Sequence, residues 1–98
     1  MRVWVSSAAF VKPNSAVYVF YNRKKEAIYI GNSTNLEKTF SKYVETDFEG
    51  DECKQKTQFY QREFMENPKE RQLQLIEEFQ KETGNMPFCN AEIQIETR

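Results

Sequence analysis

Two tyrosines in neighbouring apolar runs of the chain carry the first groups that could do chemistry. Tyr18 lies in AVYVFY and Tyr29 in AIYI, with ten residues between them. A phenol hydroxyl can donate and accept a hydrogen bond, so both side chains are candidates for an active site. Aromatic side chains equally suit the core of a half-buried sheet, and the two residues alone leave both interpretations open.

Other reactive side chains are few. The sequence contains no histidine, which excludes imidazole catalysis and a zinc site that depends on it. Its two cysteines, Cys53 and Cys89, have neither a metal-ligand spacing nor a CxxC spacing. We therefore expect free thiols in a reducing cytoplasm.

The length and charge of the chain limit its organisation and its partners. Its 98 residues predict a single domain over 1–98, with a lead-in at 1–15 and a core at 16–92. The formal net charge of -1 gives no long-range field for nucleic acid, so any such binding must be local and sensitive to salt. NRKKE at 22–26 and ETDFEGDE at 45–52 are interpreted as solvated loops of opposite charge.

Neither end of the sequence indicates a targeting or membrane segment. The start, MRVWVSSAAFVKPNSA, lacks the continuous apolar stretch of a signal peptide, and no run approaches the roughly 18 residues that a membrane span needs. The expectation is a cytoplasmic protein with no membrane partner.

The elements that would hold the tyrosines begin with a hairpin. Residues 16–21 and 27–30 are β-branched or aromatic and are joined by NRKKE, which predicts two antiparallel strands. Alternation along these strands puts Tyr18 with Phe20 on one face and groups Tyr29 with Ala27. After Gly31 the sequence predicts a helix at about Asn35–Val44.

The second half of the chain predicts another strand and another helix. TQFYQREFM suits a third strand, and ENPKERQLQLIEEFQKETGNMP suits a helix with Pro68 at its first position and Gly84 at its end. Capping boxes are predicted at Thr34 with Glu37 and at Asn67 with Glu70. Short β-prone pieces at Val3–Val5 and Glu92–Ile95 are further candidates. The fold class is α/β (α+β): a small three-stranded antiparallel sheet flanked by helices.

The order of these elements and the motifs within them resemble the GIY-YIG nuclease superfamily over about residues 10–92. Val17-Tyr18 stands where the family has the end of its GIY motif, and Tyr29-Ile30-Gly31 is a complete YIG motif. Asn35-Leu36 begins a helix as the family's NL-type segment does, and Pro87 with Asn90 resembles its P-x-x-N. Ala16 replaces the first glycine of the GIY motif. An unrelated small α/β domain is favoured instead if the tyrosines fail to share an open face.

The resemblance implies phosphodiester hydrolysis at a site with one divalent cation. In that family a helix carboxylate binds the metal, Mg²⁺ or Mn²⁺, and two strand tyrosines position water and phosphate. Carried onto this sequence, the catalytic residues are Tyr18, Tyr29 and Glu78, and Glu78 is the metal ligand. Glu77 is the alternative, and a slip of one turn would put Gln74 in that position.

The family's catalytic arginine is missing. Counted along GNSTNLEKTFSKY, its position holds Thr39, which offers one neutral hydrogen bond in place of a forked cation. Lys38, Lys42 or Arg62 are the candidate substitutes.

Two functions follow from these residues. The first is a divergent, impaired metal-dependent endonuclease, and the alternative is an inactive module that binds nucleic acid or a protein. Weak binding of DNA is the expected partner interaction, because clustered cations occur only at NRKKE, Lys54 and Lys56. The sequence gives no oligomeric state.

Overall fold

The computed structural model describes residues 1–90 of the chain. The strands are β1 (Arg2–Val3), β2 (Ala16–Tyr21), β3 (Ala27–Ser33) and β4 (Phe59–Phe64). The α-helices are α1 (Trp4–Ser7), α2 (Leu36–Thr46) and α3 (Pro68–Thr83), with short 3₁₀ turns at Ala8–Phe10, Phe48–Gly50 and Lys54–Lys56.

The strands form one antiparallel sheet in the order β1-β4-β2-β3, which confirms the α/β class with flanking helices. The sheet has four strands rather than the three expected, because Arg2 and Val3 pair with Tyr60 and Phe59. The β-prone piece at Val3–Val5 is therefore displaced: the strand ends at Val3 and a short helix begins at Trp4. The Trp4 indole is 6% exposed, so burial of a large aromatic ring favours this turn into the core.

The predicted hairpin is confirmed, and a polar turn connects its strands. In this turn the Asn22 side-chain oxygen accepts hydrogen bonds from the backbone N–H groups of Lys24 and Glu26, both at 3.0 Å. Lys25 adopts the left-handed conformation with φ 64°. An asparagine that bonds to the backbone two and four residues on rigidifies such a turn.

The ends of the helices are close to those predicted. Asn35, not Thr34, caps α2, since its side-chain oxygen accepts a 3.1 Å hydrogen bond from the N–H of Lys38. For α3, Pro68 at the start and Gly84 at the end are confirmed, and Gly84 has the left-handed φ of 79° common just after a helix. Asn67 precedes α3 without making a side-chain capping bond, contrary to the predicted capping box.

The two sides of the sheet carry different residues and different helices. We call the side with Tyr18, Phe20 and Tyr29 the α2 face, because Phe40 of α2 packs on Tyr18 with ring centroids 5.3 Å apart. We call the other side, with Val17, Val19 and Glu63, the α3 face, because it contacts α3. Aromatic and aliphatic side chains fill the α2 face; the largest are Trp4, Tyr18, Phe20, Tyr29, Phe40, Tyr43, Phe48 and Tyr60.

The prediction of free thiols is wrong, because Cys53 and Cys89 form a disulfide. The fold brings their Cα atoms to 5.7 Å although they are 36 residues apart, and 5.7 Å is a normal separation for a disulfide. Cytoplasmic localisation stays a prediction. The strand expected at Glu92–Ile95 lies outside the described residues. Within residues 1–90, no helix is long and apolar enough to span a bilayer.

Candidate functional site

Tyr18 and Tyr29 both lie on the α2 face. In the β2–β3 ladder Tyr18 is opposite Gly31 and Tyr29 is opposite Phe20, so the two tyrosines are diagonal neighbours. Their ring centroids are 6.0 Å apart. Both rings are largely buried, with Tyr18 3% and Tyr29 9% exposed.

Gly31 explains why the third position of the YIG motif must be small here. A Cβ atom built on Gly31 would lie 2.5 Å from Cζ of Tyr18 and 2.7 Å from Cε2 of Tyr29. These separations are well below van der Waals contact, so the two rings lie directly on the glycine backbone. The glycine thus allows both tyrosines to occupy the same small region.

Two further residues complete a cluster around the tyrosine hydroxyls. The Tyr43 hydroxyl from α2 lies 3.5 Å from that of Tyr18, and Lys54 Nζ donates to the Tyr43 hydroxyl over 3.3 Å. The same ammonium lies 4.3 Å from the centroid of the Tyr29 ring, in the geometry of a cation–π contact. We call Tyr18, Tyr29, Tyr43 and Lys54 the tyrosine–lysine cluster.

Burial sets the protonation states of this cluster. Burial raises the pKa of Tyr18 well above its ordinary value, and the nearby Tyr29 and Tyr43 add to the effect. Burial also raises the pKa of Tyr29, although the Lys54 cation offsets part of the increase. Desolvation lowers the pKa of Lys54, but the oxygens of Tyr29, Tyr43 and Asp51 outweigh it and the net change is upward.

At neutral pH Tyr18 and Tyr29 are therefore neutral phenols beside the charged ammonium of Lys54. Neutral phenols with raised pKa values are poor proton acceptors but good hydrogen-bond donors. Together with Lys54, whose side chain is 11% exposed, they favour an anion over a cation. The nearest carboxylate, Asp51, lies 3.9 Å from Lys54 Nζ and accepts a 2.9 Å hydrogen bond from the N–H of Cys53.

Glu78 is not part of this cluster. Its carboxylate lies 3.6 Å from Nη1 of Arg71, whose Nε lies 3.3 Å from Glu63. Glu63 is opposite Val17 in the ladder, which puts this group of charges on the α3 face. The Glu78 side chain is 61% exposed. The two tyrosines and Glu78 thus lie on opposite faces of the sheet instead of meeting in one hollow.

The neighbours of Glu78 on α3 also have charged partners. Glu77 pairs with Lys81 one turn on, at 3.4 Å. Gln74 accepts a 3.2 Å hydrogen bond from the same Nη1 of Arg71 that contacts Glu78.

The residue at the arginine position and its candidate substitutes do not contact the tyrosine hydroxyls through described hydrogen bonds. Thr39, at the arginine position, forms a 2.6 Å hydrogen bond with the Ser33 hydroxyl. Lys42 pairs with Glu49 at 3.3 Å, and Lys38 is exposed. Arg62 is opposite Tyr18 in the ladder, but its guanidinium lies over the Phe64 ring at 5.7 Å. Its buried Nε has no hydrogen-bond partner within residues 1–90.

Asn90 of the P-x-x-N motif has a clear structural role. Strand β3 is at the edge of the sheet, and the backbone N–H of Ile30 donates to the Asn90 side-chain oxygen over 2.8 Å. The Asn90 amide donates in return to the Ile30 carbonyl over 3.0 Å, and Gln72 of α3 donates to the same carbonyl over 2.8 Å. Side-chain amides thus take the place of a neighbouring strand at this edge.

Sequence reasoning missed Lys54 and the role of Tyr43. The sequence placed Tyr43 only within the helix predicted at about Asn35–Val44, and Lys54 only among the clustered cations. The one signal that could have found Lys54 is Cys53 beside it, had the pairing of Cys53 with Cys89 been foreseen.

The fold and the tyrosine motifs agree with the comparison to known families. The family model of the GIY-YIG catalytic domain matches residues 14–86, and the chain belongs to this family. The family indicates a nuclease that interacts with nucleic acid, and its members generally depend on a divalent metal. Neither a curated protein nor a solved structure matches the chain.

Proposed function

We propose that the chain is a nucleic-acid-binding domain of the GIY-YIG family that does not cleave by the family's metal-dependent mechanism. The observation that carries this proposal is the separation of Glu78 from Tyr18 and Tyr29 by the sheet. A carboxylate-bound metal and a phenol can act on one phosphodiester only when both reach it. Here Glu78 contacts Arg71 on the α3 face, while the phenols lie under α2.

The side chains at the tyrosines do not fit a divalent cation. Mg²⁺ and Mn²⁺ prefer oxygen ligands, usually one or two carboxylates together with phosphate oxygens. Lys54 brings a positive charge to the tyrosine hydroxyls, which repels a metal ion. Within residues 1–90, no group of three or more acidic, cysteine or histidine side chains is arranged to bind a metal.

The basic turn between β2 and β3 supports nucleic acid as the partner. Arg23, Lys24 and Lys56 line one concavity of about 320 Å³, together with Asn22, Glu26 and Gln58. The hydrogen bonds of Asn22 hold the turn in one conformation, so its cations are presented without much further ordering. Such a small basic patch on a chain of net charge -1 predicts weak binding that falls with salt.

A combined cleavage and binding experiment tests the proposal. Labelled single-stranded, nicked and branched DNA is incubated with the protein and Mg²⁺ or Mn²⁺, and binding is measured by fluorescence anisotropy across a salt series. We expect intact DNA and measurable binding. Arg23→Ser with Lys24→Ser should weaken the binding and reduce the log–log salt slope for single strands by about 1.4, since each lost phosphate contact removes about 0.7.

The control variant, Lys69→Ser with Lys81→Ser, removes the same charge from α3 and should leave the salt slope close to that of the wild type. Metal-dependent cleavage that disappears in both Tyr29→Phe and Glu78→Ala would overturn the proposal. Binding that is insensitive to salt would contradict the role of the basic turn.

A further inference from the structure

The disulfide joins the two segments that hold the YIG strand. Cys53 is followed directly by Lys54, and Cys89 is followed directly by Asn90. Lys54 contacts Tyr29, and Asn90 contacts Ile30, which are consecutive residues of β3. The Cys53–Cys89 bond therefore joins the two backbone segments that carry Lys54 and Asn90. The side chains of these two residues contact neighbouring positions of the edge strand β3.

Lys54 covers Tyr29 and Tyr43 from the loop before β4. Apart from the disulfide, most of the hydrogen bonds of this loop lie within it: Asp51 accepts from the N–H groups of Cys53 and Lys54, and the N–H of Thr57 donates to the Lys54 carbonyl over 3.0 Å. Burial of the ammonium costs hydration, and its contacts with Tyr29, Tyr43 and Asp51 offset that cost. The cross-link to Cys89 limits how far the backbone at Lys54 can move.

Asn90 holds the strand edge from the other segment. Its side chain is buried, and its two hydrogen bonds with Ile30 replace the pairing that an edge strand lacks. Beyond these bonds, the described local contact is a 3.0 Å hydrogen bond from the N–H of Asn90 to the Pro87 carbonyl. Loss of the cross-link lets this segment leave the edge without moving the Lys54 segment with it.

We propose that Cys53–Cys89 is a redox modification site: a dithiol reductant cleaves it, and cleavage lets Lys54 leave Tyr29 and Asn90 leave Ile30, which uncovers Tyr29 and the β3 edge. Cys53 is the more accessible residue of the pair, because Cys89 is 1% exposed. The inference concerns the structure of the site and holds whether or not the domain binds nucleic acid.

The chemistry is thiol–disulfide exchange. One thiolate of the dithiol attacks Sγ of Cys53, and the sulfur–sulfur bond breaks, with Cys89 leaving as a thiolate that takes up a proton. The mixed disulfide joins the first sulfur of the reductant to Sγ of Cys53. The second thiol of the reductant then attacks that first sulfur and releases the Cys53 thiol. The protein gains two electrons and two protons, and the reductant becomes a cyclic disulfide.

Amide hydrogen exchange followed by NMR tests the proposal on the whole chain, with and without dithiothreitol. The Ile30 amide reports the Asn90 contact, whereas the alternation of an antiparallel ladder directs the Gly31 amide to β2. In the oxidised protein we expect the two amides to have similar protection. In the reduced protein we expect Ile30 to be at least about tenfold less protected than Gly31, through local opening that is independent of denaturant.

A second readout follows Lys54 and the tyrosines. Reduction should let solvent reach the Tyr29 ring, measured by solvent-perturbation difference absorbance against Tyr29→Phe, because Lys54 no longer covers it. The variant Cys53→Ser with Cys89→Ser should match the reduced protein and should not respond to dithiothreitol. If that variant does not fold, the reduced wild type carries the test. The proposal would be overturned if the ratio of Ile30 protection to Gly31 protection were the same in the oxidised and the reduced protein. This holds even if reduction makes both amides exchange faster.

Discussion

The helices α2 and α3 cover opposite faces of one sheet in different ways. α2 has 11 residues and buries Leu36, Phe40 and Tyr43. α3 has 16 residues, yet Pro68 is the only one of them that is buried, and Leu73 is 61% exposed. Hydrophobic packing holds α2, whereas polar contacts from Gln72 and Arg71 connect α3 to the sheet.

This difference shows how motif residues of one family can serve separate purposes. On the α2 face the tyrosines are part of the aromatic core, so their first contribution is to stability. On the α3 face Glu78 belongs to a solvent-exposed group of charges. A catalytic site that needs both sets of residues requires them on one side of the sheet, and the fold keeps them on two.

The largest expected effect comes from truncating a matched residue on each helix. Phe40→Ala should destabilise the protein by about 4 kcal/mol, because its ring fills the aromatic core against Trp4 and Tyr60. Leu75→Ala on the half-buried side of α3 should cost only about 1.5 kcal/mol. Urea unfolding followed by circular dichroism measures both, and equal losses would contradict the contrast between the helices.

A smaller effect is expected at Gly31, where the tyrosines meet the backbone. Gly31→Ala should cost about 2 kcal/mol, because its methyl group would overlap both tyrosine rings. Gly50→Ala is the comparison: it has open space but a φ of 76°, and should cost about 1 kcal/mol from backbone strain. A Gly31→Ala protein as stable as the wild type would show that the rings do not lie against this position.

Alkaline pH should lower the free energy of unfolding through ionisable groups on the α2 face. The pKa values of Tyr18, Tyr29 and Lys54 are all raised in the folded protein, so the unfolded chain loses these protons first as pH rises. Their stabilising contribution is complete below about pH 10 and is lost above it, by up to about 1.4 kcal/mol per pH unit for each group.

Stability measured between pH 9 and 11.5, about the ordinary tyrosine pKa of 10, tests this expectation. Tyr18→Phe should reduce the slope of the free energy of unfolding against pH, because it removes the phenol whose pKa is raised most strongly. A slope that is unchanged in Tyr18→Phe would contradict the burial of this hydroxyl.

The smallest effect is expected at Glu78. Glu78→Gln should change stability by less than about 0.5 kcal/mol, since exposed ion pairs contribute little. Glu77→Gln, which removes the exposed pair with Lys81, is the matched control and should behave alike. A loss well above that of the control would indicate that Glu78 makes an important contact within the fold.

Local patterns predicted the hairpin, the common face of Tyr18 and Phe20, and both ends of α3. They also grouped Tyr29 with Ala27, but a register shift in the ladder puts Tyr29 opposite Phe20 and Ala27 opposite Tyr21. The period of a β-strand fixes which residues share a face, and Pro68 and Gly84 have conformational preferences that need no distant partner. The GIY-YIG motifs are also local, so their resemblance correctly indicated the family.

Features that depend on distant contacts could not be predicted in this way. β1 has two residues and exists only because β4 offers it an edge, and Cys53 meets Cys89 across 36 residues. Lys54 reaches the tyrosines only when that loop closes. Counting back from Pro87 gave the position of Glu78 along α3, but not its direction, which depends on how the helix packs on the sheet.

The most direct test of the central claim asks whether a metal bound at Glu78 can sense the tyrosines. Mg²⁺ is titrated into the wild type and Glu78→Gln while the ring NMR signals of Tyr18 and Tyr29 are recorded, because a bound diamagnetic ion shifts mainly the signals of the groups that surround it. With Glu78 on the α3 face, we expect the tyrosine signals to stay in place in both proteins. Mg²⁺-dependent shifts of these signals in the wild type that are abolished in Glu78→Gln would contradict the account, since they would indicate that Glu78 and the tyrosines surround one ion.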